Sequence, residues 1–316
     1  MSSSSSVSAD ASFPSGFSLL GGIPLKNPDL AASIIYAILF LLLTPLVVWR
    51  LAFKETRHAV FVRPVAVLLI RVATYIIRAV EADGNTSTGT LIAEQVLLLI
   101  GLIPLASTLV SLLSYHVQRN FVPTASEPKR AMPLSRILRV CELALIVAIV
   151  LAIVSASELN DAMSDAGTLK SLKTYRNVTV GLTLGVTVLV PVLAAYETLR
   201  EDLPVRPCLF ILSTSVLLAI PSVYRLVVTA RPPSLTSHGA KAAFYLLSAL
   251  PEWGAVTALV GPNLDALFHV REGDWKRRVA KKMDDGEWTG PYVARDVFEM
   301  GEGTRPGEWR ADGDKV

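Results

Sequence analysis

Arg71, Arg78 and Glu81 interrupt an otherwise apolar run, "LLIRVATYIIRAVEADG", residues 68–84. Ionisable side chains in such a run are costly in lipid and mark interior, working positions when they recur on one face. At 100° per residue Arg71, Thr74, Tyr75 and Arg78 share a face, with Glu81 at its margin. A second stripe, Lys241, Tyr245, Ser248 and Glu252, runs along the last apolar segment. Arg225, with Tyr224 and Ser222, and Glu94, with Gln95, add a third arginine and a third glutamate. Counted from the segment ends, Glu252 comes close to the depth of Arg71, so the two are expected to pair.

The magnitudes require these charges to be compensated. A central arginine costs about 2.5–3.5 kcal/mol on insertion, whereas each aliphatic residue returns only about 0.3–0.6 kcal/mol. The segment around Arg71 therefore roughly breaks even alone and needs neighbours. Two arrangements answer that need. One is a set of ion pairs that fixes helix register. The other is a hydrated polar cavity that binds a zwitterionic or amphiphilic molecule, with Arg71, Tyr75, Arg78, Glu81, Glu94, Arg225, Tyr245, Ser248 and Glu252 as its lining.

The elements that position these residues follow from composition. The chain of 316 residues is 52% hydrophobic and only 18% charged, a balance that excludes ordinary soluble domains. Seven apolar segments are each long enough to cross about 30 Å of hydrocarbon. They are residues 30–49, 64–82, 91–115, 137–156, 178–196, 208–228 and 242–260. The expected fold is all-α, a seven-transmembrane helix bundle over residues 30–262. Residues 1–29, with seven serines in the first twelve, read as a disordered tail that lacks the pattern of a cleavable signal. Residues 263–283 read as a basic juxtamembrane segment and residues 284–316 as a disordered acidic tail.

Loop charge orients the bundle. Lysine and arginine number 17 on the side holding the loops near residues 50–63, 119–139 and 200–206 and the segment after the last span, against 6 on the other. The richer side is cytoplasmic, which puts the N-terminus out and the C-terminus in. The glycosylation acceptors Asn85 and Asn177 both fall on the outer side, Asn177 at the edge of a span. Trp275, Lys276, Arg277, Arg278, Lys281 and Lys282 form a basic amphipathic stretch suited to anionic lipid, or to water as a solvated helix.

Five segments carry an interior proline, Pro45, Pro104, Pro191, Pro221 and Pro251, each removing a backbone hydrogen bond. Ala144, Ala148, Ala152 and Ala156 on the fourth segment, and Gly181 and Gly185 beside Thr179, Thr183 and Thr187 on the fifth, form small-residue faces. These suit close helix packing, with association of two copies as the alternative. Cys141 and Cys208 exclude a disulfide framework and read as packing residues, with lipidation as the alternative.

The element "TYIIRAVEADG", with Glu94 ten residues on, resembles one found in fungal RTA-like seven-span proteins. So do "IPSVYRLVV" and "FYLLSALPEWGAVTALVGPNL". The resemblance covers most of residues 30–263. It implies seven helices, an outward N-terminus and the translocation or binding of lipids or toxic amphiphiles. Val228, Pro221 and Ser248 depart from the glutamate, arginine and aspartate of that family, and the final acid is Glu252 instead. A divergent fungal relative is the alternative.

No HExxH, GxSxG or P-loop occurs, and "GEGTRP" breaks the dinucleotide pattern at Pro306. The expectation is a non-enzymatic, multi-pass protein of the plasma membrane or an endomembrane. Its partners would be membrane lipids and an amphiphilic small molecule, with no cofactor, metal or nucleic acid. A seven-helix receptor or sensor, or a membrane-organising protein, is the alternative.

Overall fold

The computed structural model describes residues 18–52, 62–84, 87–120, 131–159, 161–163, 165–201 and 203–268. All regular structure among them is helical. In chain order the helices are α1 (Lys26–Leu41), α2 (Thr44–Ala52), α3 (Val62–Ala82), α4 (Thr88–Ile100), α5 (Leu102–Asn120) and α6 (Ala131–Ser157). After a short 3-10 turn, Asp161–Met163, come α7 (Ala166–Arg200), α8 (Val205–Ala230) and α9 (His238–Phe244). A π turn, Tyr245–Ala249, then leads into α10 (Leu250–Val260) and α11 (Leu264–Phe268).

Among the described residues, six helical rods are long and apolar enough to cross a membrane: Lys26–Arg50, Thr88–Val117, Leu134–Ser157, Gly167–Arg200, Val205–Ala230 and His238–Val260. The segment expected as the second span forms the 21-residue helix α3, but Arg63, Arg71, Arg78 and Glu81 make it more charged than these six. Its position explains that composition. α3 packs against α1, α4, α5 and α10, so its polar stripe is buried, while Leu69, Ile76 and Val80 on its opposite side are exposed. The outer faces of α1, α6 and α8 are likewise apolar, with Ile35, Ile38, Leu143, Ile153, Leu209 and Val216 exposed. This inverted pattern is what a lipid solvent selects.

Proline sets the breaks. Pro45 cannot bond the Leu41 carbonyl, and α1 gives way to α2 there. Pro104 does the same to the Ile100 carbonyl, where Gly101 separates α4 from α5. Pro251 follows the π turn, whose wider ring is closed by the Leu250 N–H donating to the Tyr245 carbonyl. Pro191 and Pro221 lie inside the continuous helices α7 and α8.

Two expectations change. α7 begins twelve residues before the apolar segment expected from residue 178, capped by Asp165, which accepts from the Thr168 N–H at 2.7 Å. The hydrogen bonds from the Thr168 hydroxyl and backbone also hold the Asp165 carboxyl below the usual aspartate range. In addition, residues 18–29, assigned to a disordered tail, are ordered against the bundle. Leu19 and Ile23 pack with Leu159, Ala162, Leu169 and Leu172, and Lys26 already opens α1. The serine-rich composition that suggested disorder belongs to residues 1–12; Leu19, Leu20 and Ile23 supply the buried apolar surface that anchors this stretch.

The alanine face of α6 and the threonines of α7 meet, with Ala148, Ala152, Thr179, Thr183 and Thr187 buried. Gly181 and Gly185 have no atom within 4 Å of a Cβ position and lie outside this seam. Both free cysteines are buried.

Candidate functional site

Along α3 the polar stripe forms two storeys about 10 Å apart, seven residues at 1.5 Å each. In the deeper storey Glu252 is shared. Its Oε2 lies 2.5 Å from Arg71 Nε, and its Oε1 lies 2.5 Å from Arg225 Nη2 and 3.3 Å from the Ser248 hydroxyl. Other guanidinium N–H groups reach the end of α4: Arg71 donates to the carbonyls of Leu97 (3.1 Å) and Leu98 (3.3 Å), and Arg225 to that of Leu99 (3.5 Å), while Arg225 Nε has no acceptor among the described residues. Gly101 makes the approach feasible, because a Cβ there would stand 2.5 Å from Arg71 Nη2.

The second storey is built around Arg78. Its guanidinium donates to Glu94 (2.5 Å), Asp29 (3.2 Å), the Gly21 carbonyl (2.6 Å) and the Tyr245 hydroxyl (3.0 Å). It also lies over the Phe244 ring at 4.8 Å. Lys241 pairs with the other oxygen of Asp29 and donates to the Ile23 carbonyl at 2.6 Å. Tyr245 also contacts Asp29 (3.1 Å) and Ser33 (2.9 Å). Between the storeys Tyr75 stacks on Tyr36 (5.5 Å) and Phe40 (5.8 Å), an aromatic layer that separates them.

Residues 18–25 close the top of this storey as a strap. Leu20 exchanges two backbone hydrogen bonds with the Gln95 amide (2.9 and 3.2 Å), Arg176 donates to the Ser18 carbonyl at 2.7 Å, and the Ile23 N–H donates to Leu235 at 3.0 Å. Gly21 has a φ of +79°, and its missing Cβ would sit 2.8 Å from Arg78 Nη2, so only glycine lets the strap lie on that guanidinium.

Arg71, Tyr75, Arg78, Glu81, Glu94, Arg225, Tyr245, Ser248 and Glu252 thus converge in one interior cluster. Of the two arrangements that the charges allow, the packing is closer to the set of ion pairs than to the hydrated cavity. Arg71, Arg78 and Glu94 are 0% exposed, and Glu81, Arg225 and Glu252 1%, because side chains, the carbonyls at the end of α4 and the strap fill the space. Asp29 was missed in the sequence. It was counted with the tail, although an aspartate one residue past Pro28 and just ahead of a long apolar run is a helix-start signal. The sequence puts Lys241 on the Tyr245–Glu252 face and Gln95 beside Glu94, without naming a partner for either.

Asn177 is exposed on α7, but Thr179 of the same acceptor is buried within the helix. Asn85, Trp275, Lys276, Arg277, Arg278, Lys281 and Lys282 lie outside the described residues. Of the juxtamembrane segment, α11 packs on α5 and α8, with Phe268 against His116 and Phe210.

Residues 30–252 hold the charged side chains of both storeys except Asp29, and this stretch coincides with a match to a known domain. Residues 30–252 match the domain of unknown function DUF7702. The chain belongs to that family. No curated protein and no solved structure matches it. Within the DUF7702 domain the match ends at the acid that Arg71 and Arg225 share.

Proposed function

We propose that this protein is a seven-helix integral membrane carrier, N-terminus out and C-terminus in, that binds or translocates a lipid or other amphiphile through its charged interior. The observation that carries this reading is the coincidence of charge with broken helices. Four cations and four acids line the centre of the bundle beside the α4/α5 break and the π turn, an arrangement of ionisable groups and interrupted helices typical of carriers. The similarity of the Arg78 and Arg225 elements to RTA-like proteins supports the same class of cargo. The basic stretch at residues 275–282 is assigned to the cytoplasmic lipid surface.

The membrane arrangement is tested by single cysteines at Gly84 and Pro204 in a protein lacking Cys141 and Cys208. A membrane-impermeant thiol reagent added to intact cells should label the first only; the reverse would invert the topology. Binding is tested on the purified protein in a nonionic detergent. Short-chain zwitterionic phospholipids should raise its melting temperature in wild type and much less in Arg225→Gln. Equal melting temperatures with every headgroup class would remove the ligand from the proposal.

A receptor or sensor is the second reading, favoured by the burial and close ion pairing of the cluster. Such a protein would bind amphiphile and shift conformation without moving lipid.

A further inference from the structure

At the strap end of α3 and α4, the Arg78 storey contains carboxylate oxygens that no described residue satisfies. Glu94 spends Oε1 on Arg78, while its Oε2 has no hydrogen-bond donor among the described residues. Glu81, one turn beyond Arg78 on α3, lies against Glu94, and neither of its oxygens has a donor at hydrogen-bond geometry among the described residues, although it is only 1% exposed. Buried acceptors of this kind are rare and require an explanation.

Charge points to the same place. The groups facing this corner are Arg78 from α3, Glu94 and Thr90 from α4, Asp29 from α1, Lys241 from α9 and Tyr245 from the π turn. Two cations, Arg78 and Lys241, thus meet three acids, Asp29, Glu81 and Glu94. The surplus cation of the deeper storey is about 10 Å away along α3, where its attraction falls to about a third of that of a contact pair. The Thr90 hydroxyl faces Glu81 but is shared with the Ser87 carbonyl, which it reaches at 2.9 Å, and it carries no charge to balance the corner.

We propose that Glu81 and Glu94 together hold one proton, shared between their carboxyl groups beneath the strap. Binding adds one H⁺ from solvent to a carboxylate oxygen, giving one carboxylic acid and one carboxylate; no other bond forms or breaks. The new O–H donates to the neighbouring carboxylate, which satisfies two of the three orphan oxygens and cancels the surplus charge. A metal ion fits less well, because among the described residues no three His, Cys, Asp or Glu side chains are grouped to ligate one. The pair holds its proton whatever the bundle carries. Release would leave Glu81 and Glu94 repelling each other next to the guanidinium that grips Gly21, so the proton also secures the strap.

Infrared spectroscopy of the full-length protein in lipid nanodiscs at neutral pH tests this. Wild type should show the carbonyl stretch of a protonated carboxylic acid, shifted in D₂O and by ¹³C-labelled glutamate. Glu81→Gln, which keeps the Arg78–Glu94 pair, should lose that band. The proposal is overturned if wild type has no such band, if labelled glutamate leaves it unmoved, or if Glu81→Gln retains it. It is equally overturned if sodium or potassium, compared with choline, raises the melting temperature of wild type but not of Glu81→Gln, since a cation would then fill the site. Should the variant not fold, the labelled wild-type spectrum decides alone.

Discussion

Arg71 and Arg225 meet the same carboxylate: Glu252 Oε2 is 2.5 Å from Arg71 Nε and Oε1 is 2.5 Å from Arg225 Nη2. A simple Arg71–Glu252 pair would lose equally from either end, but a shared acid breaks that symmetry. Glu252→Leu strands two buried guanidiniums and is expected to cost at least the about 3–5 kcal/mol of a broken buried pair. Arg71→Leu leaves a balanced Arg225–Glu252 pair and should cost clearly less. Melting temperatures in detergent for both variants check the order; equal losses would show that Arg225 does not share the acid.

The strap gives a second expected outcome. Gly21→Val places a branched side chain at a φ of +79° and against Arg78, a conformation costing about 1–2 kcal/mol before any clash. A cysteine at Ser18, which is 5% exposed, should then react with an impermeant thiol reagent several-fold faster than in the glycine background. Unchanged reactivity would mean that the strap does not rest on Arg78.

Asp165 provides a pH-dependent effect at the same end. Its carboxyl is held below the ordinary aspartate value by the Thr168 hydroxyl and backbone, so the cap is fully present above that value and is lost as pH falls through the lowered one. Asp165→Ala should speed amide exchange at Thr168 and Leu169 at neutral pH, and the difference from wild type should vanish in acid. A difference that grows in acid would reverse the assigned sign.

The helices and their inward faces were legible in the sequence because lipid imposes a simple code: apolar outside, 3.6-residue stripes of polar groups inside. That code placed Arg71, Tyr75 and Arg78 on one face of α3 and matched Arg71 to Glu252 in depth. It could not show that Arg225 reaches the same acid, since depth and face do not fix which helices are neighbours. Asp29 was hidden by the serines upstream of it, although the local pattern of Pro28 and the apolar run after it carried the signal. The roles of Gly21 and Gly101 depend on the approach of guanidiniums from another helix, which no local pattern records. Between the ion pairs and the hydrated cavity that the charges allow, the sequence could not choose, because the carbonyls at the end of α4 and in the strap that partner the guanidiniums belong to the backbone of other segments.

Transbilayer movement of a fluorescent phospholipid is the most direct test of the charged interior as a working path. Purified protein would be reconstituted in vesicles and the outer-leaflet probe quenched chemically. Wild type should expose inner-leaflet probe well above protein-free vesicles, and a folded Arg225→Gln variant should lose most of that movement. Wild-type vesicles indistinguishable from protein-free ones, or an Arg225→Gln variant as fast as wild type, would contradict it.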